Sequence, residues 1–231
     1  MMINEPTKRK APSKLLEAAK LSHVEKMAIF NERIFKVLRF LIQENYSSLG
    51  NIGKLLNVPS QTSSRICSHL CDKGYLSRVE VDIGLARSVS VFQPTNTGIM
   101  FAINDNEEMP KLRDPSRVNP TTVYNDLKLQ QIRLHLESEG YSQFRNSWVL
   151  KKDKDSKHYP LDYLCKSPDG KDIGIVLSLN IKYKEYYKSI ISNVPDTTKI
   201  IIYVKEAFSK KLEKFCNDID GFIDRVSINE L

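Results

Sequence analysis

Between Asn104 and Pro120 the chain reads NDNEEMPKLRDPSRVNP, with three prolines and no apolar period. Such a segment can neither continue a helix nor serve as a central strand. It therefore constrains the 231 residues to two packing units, each long enough for a small core. The expected division is a basic N-terminal arm and helix over 1–31, a first domain over 32–103, a linker over 104–119 and a second domain over 120–231. Charge follows this division. The whole chain carries 35 Lys and Arg against 28 Asp and Glu, a net +7. Residues 1–103 hold 14 basic and 8 acidic side chains, whereas the linker is −1 and the second domain +2. The excess points to an anionic partner, nucleic acid before membrane. The richest apolar runs, IGIVLSL (Ile173 to Leu179) and IIIYV (Ile200 to Val204), fall far short of the roughly 18–20 residues that a membrane helix needs. No apolar signal-peptide core opens the chain, so a cytoplasmic protein without membrane contact is expected. Cys67, Cys71, Cys165 and Cys216 are too few and too scattered for a disulfide scaffold.

The first domain is read from helical spacing. TKRKAPSK (Thr7 to Lys14) is a loose basic piece, either a DNA-backbone arm or a solvated tail. Ser22 and Glu25 then stand at capping-box spacing. From Glu32 to Asn45, Ile34, Phe35, Val37, Leu38, Leu41 and Ile42 make a broad buried face. A short helix over Asn51 to Asn57 follows. Pro59 then breaks the chain, and Ser60 suits the N-cap of the next helix. In that helix, SQTSSRICSHLCDKGYL (Ser60 to Leu76), Ser63, Cys67 and Leu70 form the packed side. Ser60, Gln61, Ser64, Arg65 and Ser68 lie mostly opposite. Short hydroxyls and an amide around one Arg suit close approach to a major groove, with Gln and Arg able to reach base edges. Gly74 ends the helix. Two alternating runs, Tyr75 to Asp82 and Ser88 to Pro94, then predict a hairpin with Arg87 near its tip, and Pro94 to Ile103 a short returning helix.

This order of elements resembles a winged helix–turn–helix domain. The resemblance implies DNA contacts from Ser60, Gln61, Thr62, Ser64, Arg65, Ser68, His69, Lys73, Arg78 and Arg87. A winged helix used only for protein contacts is the alternative. Cys67 and Cys71 flank His69, but zinc would need further ligands and no partner motif is present, so buried structural thiols are expected, with no metal site and no cofactor.

The second domain predicts a helix over Thr121 to Gly140, with Val123, Leu127 and Leu134 in its stripe, and strands over Phe144 to Lys152, Tyr159 to Ser167 and Asp172 to Asn180. PDGK (Pro168 to Lys171) turns the last two into a hairpin. A helix over Lys182 to Ser192, a buried strand over Lys199 to Val204, a helix over Phe208 to Ile219 and a terminal edge strand complete it. Continuous apolar runs suit strands covered on both faces.

The fold class expected is therefore a two-domain α+β or α/β protein, an N-terminal winged helix–turn–helix followed by an αβββαβα core that resembles the PD-(D/E)XK nuclease superfamily. Through NDLKLQQI (Asn125 to Ile132), PLD (Pro160 to Asp162) and LSLNIKYKEYY (Leu177 to Tyr187), the chain also resembles the replication-relaxation family, which includes MobC-type relaxases of plasmids and mobile elements. The resemblance places Asp162 at the family's first acid and Lys182 at its lysine, and puts Val176 and Ser178 where further acids belong. One carboxylate is a poor site for a hard dication, so these two residues are vestigial candidates in a degenerate nuclease-like domain. His23, His69, His135 and His158 form no His-x-His cluster. Tyr183, Tyr186 and Tyr187 are read as packing and partner-contact residues. Lys182, Lys184 and Lys188 are left between phosphate contact and plain solvation. The resemblance implies a double-stranded DNA-binding protein of a mobile genetic element, acting in plasmid transfer, replication or its transcriptional control. Other DNA-processing proteins of that element would be partners. A metal-dependent relaxase or nickase is the competing reading, and a protein-interaction adaptor a third.

Overall fold

A computed structural model describes residues 22–84, 87–104, 108–152, 160–217, 219 and 225–230. The basic piece over Thr7 to Lys14, the hairpin tip and His158 lie outside the described residues, as does the side chain of Arg87. Within the described residues the chain is a mixed α+β protein with eight helices and two sheets.

Helix α1 (His23–Glu44) is one continuous helix rather than two pieces. Its capping box is complete: Ser22 Oγ accepts the Glu25 N–H, and the Glu25 carboxylate accepts the Ser22 N–H at 2.7 Å. Strand β1 (Ser47–Ser48) leads into α2 (Leu49–Leu56), which Asn57 ends in a left-handed conformation, φ 51°. Helix α3 (Ser60–Asp72) follows. Its cap differs from expectation. Pro59 occupies the N-cap position and Ser60 is already helical, with no side chain capping the first turn. Strands β2 (Leu76–Gly84) and β3 (Arg87–Pro94) form the hairpin, β1 adds to β3, and the order is β1–β3–β2, all antiparallel. Helix α4 (Asn96–Ala102) returns across the start of β2, where Thr95 Oγ1 donates to the Gly74 carbonyl and accepts the Gly98 N–H. The approach requires glycine: a Cβ on Gly98 would stand 2.1 Å from the Tyr75 carbonyl oxygen.

The chain then crosses, through a 3₁₀ turn at Pro115–Arg117, into α5 (Pro120–Ser138). Strand β4 (Ser142–Asn146) is followed directly by a short helix, α6 (Ser147–Lys152). The single strand expected over Phe144 to Lys152 is thus corrected. The Asn146 side chain accepts the Val149 N–H and turns the chain helical, and of the apolar run only Leu150 is buried; Trp148 and Val149 face outward. Strands β5 (Tyr163–Lys166) and β6 (Asp172–Ser178), helix α7 (Lys184–Asn193), strand β7 (Lys199–Val204), helix α8 (Glu206–Cys216) and edge strand β8 (Val226–Glu230) complete the second sheet. Its order is β4–β5–β6–β7–β8, antiparallel as far as β6 and parallel from β6 to β8.

Helix α5 is shared by both sheets. Val123 and Leu127 pack with Tyr46, Val81 and Val91, and Leu134 joins the core of α1, α2 and α3. Leu129, Ile132 and Leu136 instead pack on Tyr163, Ile173, Ile175 and Tyr203 of the second sheet. A polar seam follows the same helix. Arg133, almost fully buried, pairs with buried Glu44, donates to Glu137 and Gln43 at 2.8 Å each, and lies over the rings of Phe40 and Phe144. Tyr163 donates to the other Glu44 oxygen at 2.6 Å. Nearby, Tyr46 donates to Asp126, Ser47 to Gln130, and Asn51 to the Leu127 carbonyl.

Candidate functional site: the outer face of α3

The sequence of α3 sorts its side chains by the 3.6-residue repeat. Ser63, Ile66, Cys67 and Leu70 are buried against α1, α2 and the hairpin. Gly53 of α2 makes the crossing close, since a Cβ there would lie 3.3 Å from Ser63 Oγ. Ser60, Gln61, Ser64, Arg65 and Ser68 are exposed. No side-chain hydrogen bond or ion pair holds Gln61, Ser64, Arg65 or Ser68 among the described residues. The face is therefore polar, short-chained and unoccupied by internal partners.

The other predicted contact residues are placed differently. Thr62 is half-buried. His69 turns away, its ring edge-on to Phe30 at 5.2 Å. Lys73 is exposed at the C-cap. Arg78 stands on β2 but is tied down, donating to Glu80 at 2.7 Å and to Ser90 at 2.7 Å. Asp72, which the sequence reading passed over, is exposed on the Arg65 side and introduces one negative charge. With Ser64, Ser68, Cys71, Arg78 and Ser90 it lines a groove of about 300 Å³ between α3 and the hairpin. Cys67 is buried, and burial pushes its thiol up to about 12, so it packs rather than reacts.

In the second sheet, Asp162 and Lys182 each make local contacts of their own. The Asp162 carboxylate accepts the Leu177 N–H at 2.7 Å, its own N–H donates to Ile175 and its carbonyl accepts from Ser147. It thereby extends the β5–β6 pairing with a side chain. Burial outweighs that one bond and raises its carboxyl from 3.8 to about 6. Val176 is fully buried, and Ser178 Oγ is 2.9 Å from the hydroxyl of buried Tyr187. The Lys182 side chain is exposed, while its backbone N–H donates to that same hydroxyl. Tyr186 is half-buried and Tyr183 exposed. Among the described residues no three His, Cys, Asp or Glu side chains gather as metal ligands, and no helix is long and apolar enough to cross a membrane.

No family model and no curated protein matches the chain. Solved structures do. A structure of PigF with SAH is 12% identical, with 96% of this chain and 62% of that one covered, at a TM-score of 0.25. N,N-8-amino-8-demethyl-D-riboflavin dimethyltransferase (RosA) from Streptomyces davawensis is 9% identical, with 96% and 67% covered, at a TM-score of 0.26. The chain thus spans under two thirds of the first of these. Neither neighbour is named as a mobile-element protein, and the expected role in a mobile element is withdrawn. The plasmid-transfer, replication and relaxase roles fall with it. Scores this low give no ground for a methyltransferase activity in their place.

Proposed function

We propose that the N-terminal unit is a winged helix and that its partner is duplex DNA, held along the outer face of α3. The proposal concerns the partner alone and carries no biological role for the chain. One observation supports it above others: Arg65 stands exposed among Gln61, Ser64 and Ser68 with no internal partner, on a helix whose far side is fully packed. A surface arginine with an acid at i±4 would be spent on a helix-stabilising pair; this one is not. Short neighbours let the helix backbone approach a groove, and the uncapped first turn of α3 leaves amides available to phosphate. Arg78, locked by Glu80 and Ser90, contributes only if that pair opens. The five-stranded sheet, in this reading, is a nuclease-like scaffold that carries α5 against the back of the first unit.

The test is anisotropy of a labelled duplex with the full chain at low salt. Arg65→Ala should weaken binding by about 1–3 kcal/mol if the guanidinium reads a base edge. Arg78→Ala should change it far less. Equal affinity of wild type and Arg65→Ala, or no binding at low salt, refutes the proposal.

A further inference from the structure

Along the outer face of α3, Gln61, Arg65, Ser68 and Asp72 follow one another at spacings of four, three and four, with Ser64 beside them. On a helix such spacings make a single stripe, and all five side chains are exposed. The two ends of the stripe differ in charge. From Asn45 to Cys71 the chain holds no Asp or Glu, and its Lys and Arg residues there are Lys54 and Arg65. Lys54, exposed on α2, lines with Pro59 and Ser60 the open pocket at the start of α3. At the other end Asp72 and Lys73 are both exposed and offset each other, and Glu80 on the hairpin is already taken by Arg78 and Ser90. A polyanion is therefore met best by the first turns of α3, where the helix also presents the positive end of its dipole.

Within those turns Gln61 and Arg65 are the side chains with donors and acceptors enough to tell one base from another. A Gln amide pairs with N6 and N7 of adenine and an Arg guanidinium with O6 and N7 of guanine, whereas a Ser hydroxyl suits any base. Both side chains are exposed, and no hydrogen bond or ion pair engages either among the described residues. Four residues separate them, about 6 Å along the helix axis, against about 3.4 Å between stacked base pairs. We infer that α3 reads an adenine and a guanine set within about two base-pair steps of each other in the major groove, Gln61 taking the adenine and Arg65 the guanine. This rests on the proposed duplex-DNA partner and adds which duplex it is. Ser64 and Ser68 let the backbone come close and select nothing, so the preference is confined to those two bases.

Selection by the full chain at low salt, from a pool of duplexes with a randomised core, tests this. The enriched duplexes should share an adenine and a guanine at that separation, and changing either base should weaken binding about tenfold. Replacing the adenine or the guanine with its 7-deaza analogue removes the N7 acceptor, leaves base pairing intact and should weaken binding in the same direction. Gln61→Ala should lose the preference at the adenine alone, and Arg65→Lys the preference at the guanine alone. Because Arg65→Lys keeps the charge and loses only the fork of donors, its binding to unrelated duplexes should stay within about twofold of wild type, which also shows that the variant is folded. Binding without base preference, or an enriched motif indifferent to both variants, overturns the inference and leaves the duplex partner standing. No binding to any duplex at low salt overturns both.

Discussion

Replacing Asp162 with Asn should make the protein more stable at pH 8, although Asp162 is the acid that the nuclease resemblance singles out. The carboxylate accepts the Leu177 N–H at 2.7 Å, and an Asn carbonyl can accept the same bond. What Asn removes is the charge. Burial holds the native carboxyl at about 6 against an ordinary 3.8, so the folded chain binds this proton more tightly than the unfolded one. The sign follows. This group's contribution is fully present below about pH 4, drains away as pH rises toward 6, and is gone above it. At about 1.4 kcal/mol per pH unit, the native state carries a penalty of about 2–3 kcal/mol at pH 8. Urea denaturation of Asp162→Asn and wild type at several pH values measures it. The variant should be more stable by that amount at pH 8, and the gap should close as pH falls toward 4. A variant less stable than wild type at pH 8, or a gap that ignores pH, refutes the reasoning.

Two helical glycines should answer alanine with opposite signs. Gly98→Ala drives a methyl into the Tyr75 backbone and should cost about 1–3 kcal/mol, whereas Gly50→Ala meets nothing nearer than 3.9 Å and should gain up to about 1 kcal/mol; thermal melts separate them. Arg133→Ala strands buried Glu44 without its cation and should cost about 3–5 kcal/mol in urea denaturation, and a loss under 1 kcal/mol would show that the pair is dispensable.

Much of the local architecture was legible because it depends on neighbours in the chain. Ser22 and Glu25 mark the start of α1, the spacing of Ser63, Cys67 and Leu70 separates the inner and outer sides of α3, and KIIIYV bounds β7 as found. Trp148 and Val149 misled because they are apolar yet exposed, and the cue that mattered was the Asn146 side chain turning back to Val149. The stripe of α5 was only half visible. Val123, Leu127 and Leu134 face the first unit, but Leu129, Ile132 and Leu136 face the sheet, and a helix gripped on two sides has no single period to read. In the candidate site, the exposure of Arg65 follows from helix geometry. The engagement of Arg78 does not, because it depends on cross-strand register, which sets Glu80 opposite Ser90. Likewise Asp162 reaches Leu177 only once β5 and β6 are paired.

The seam along α5 also sets an order on synthesis. Residues 23–102, everything from α1 to α4, leave the ribosome before α5 does. At that moment Glu44 lacks Arg133, the Tyr46 hydroxyl lacks Asp126, and Val81 and Val91 have no Val123 or Leu127 to rest on. At roughly 5–20 residues per second, the nascent first half waits a few seconds with an unmatched buried acid and an open apolar flank. Its folding is completed by a helix that lies beyond the linker.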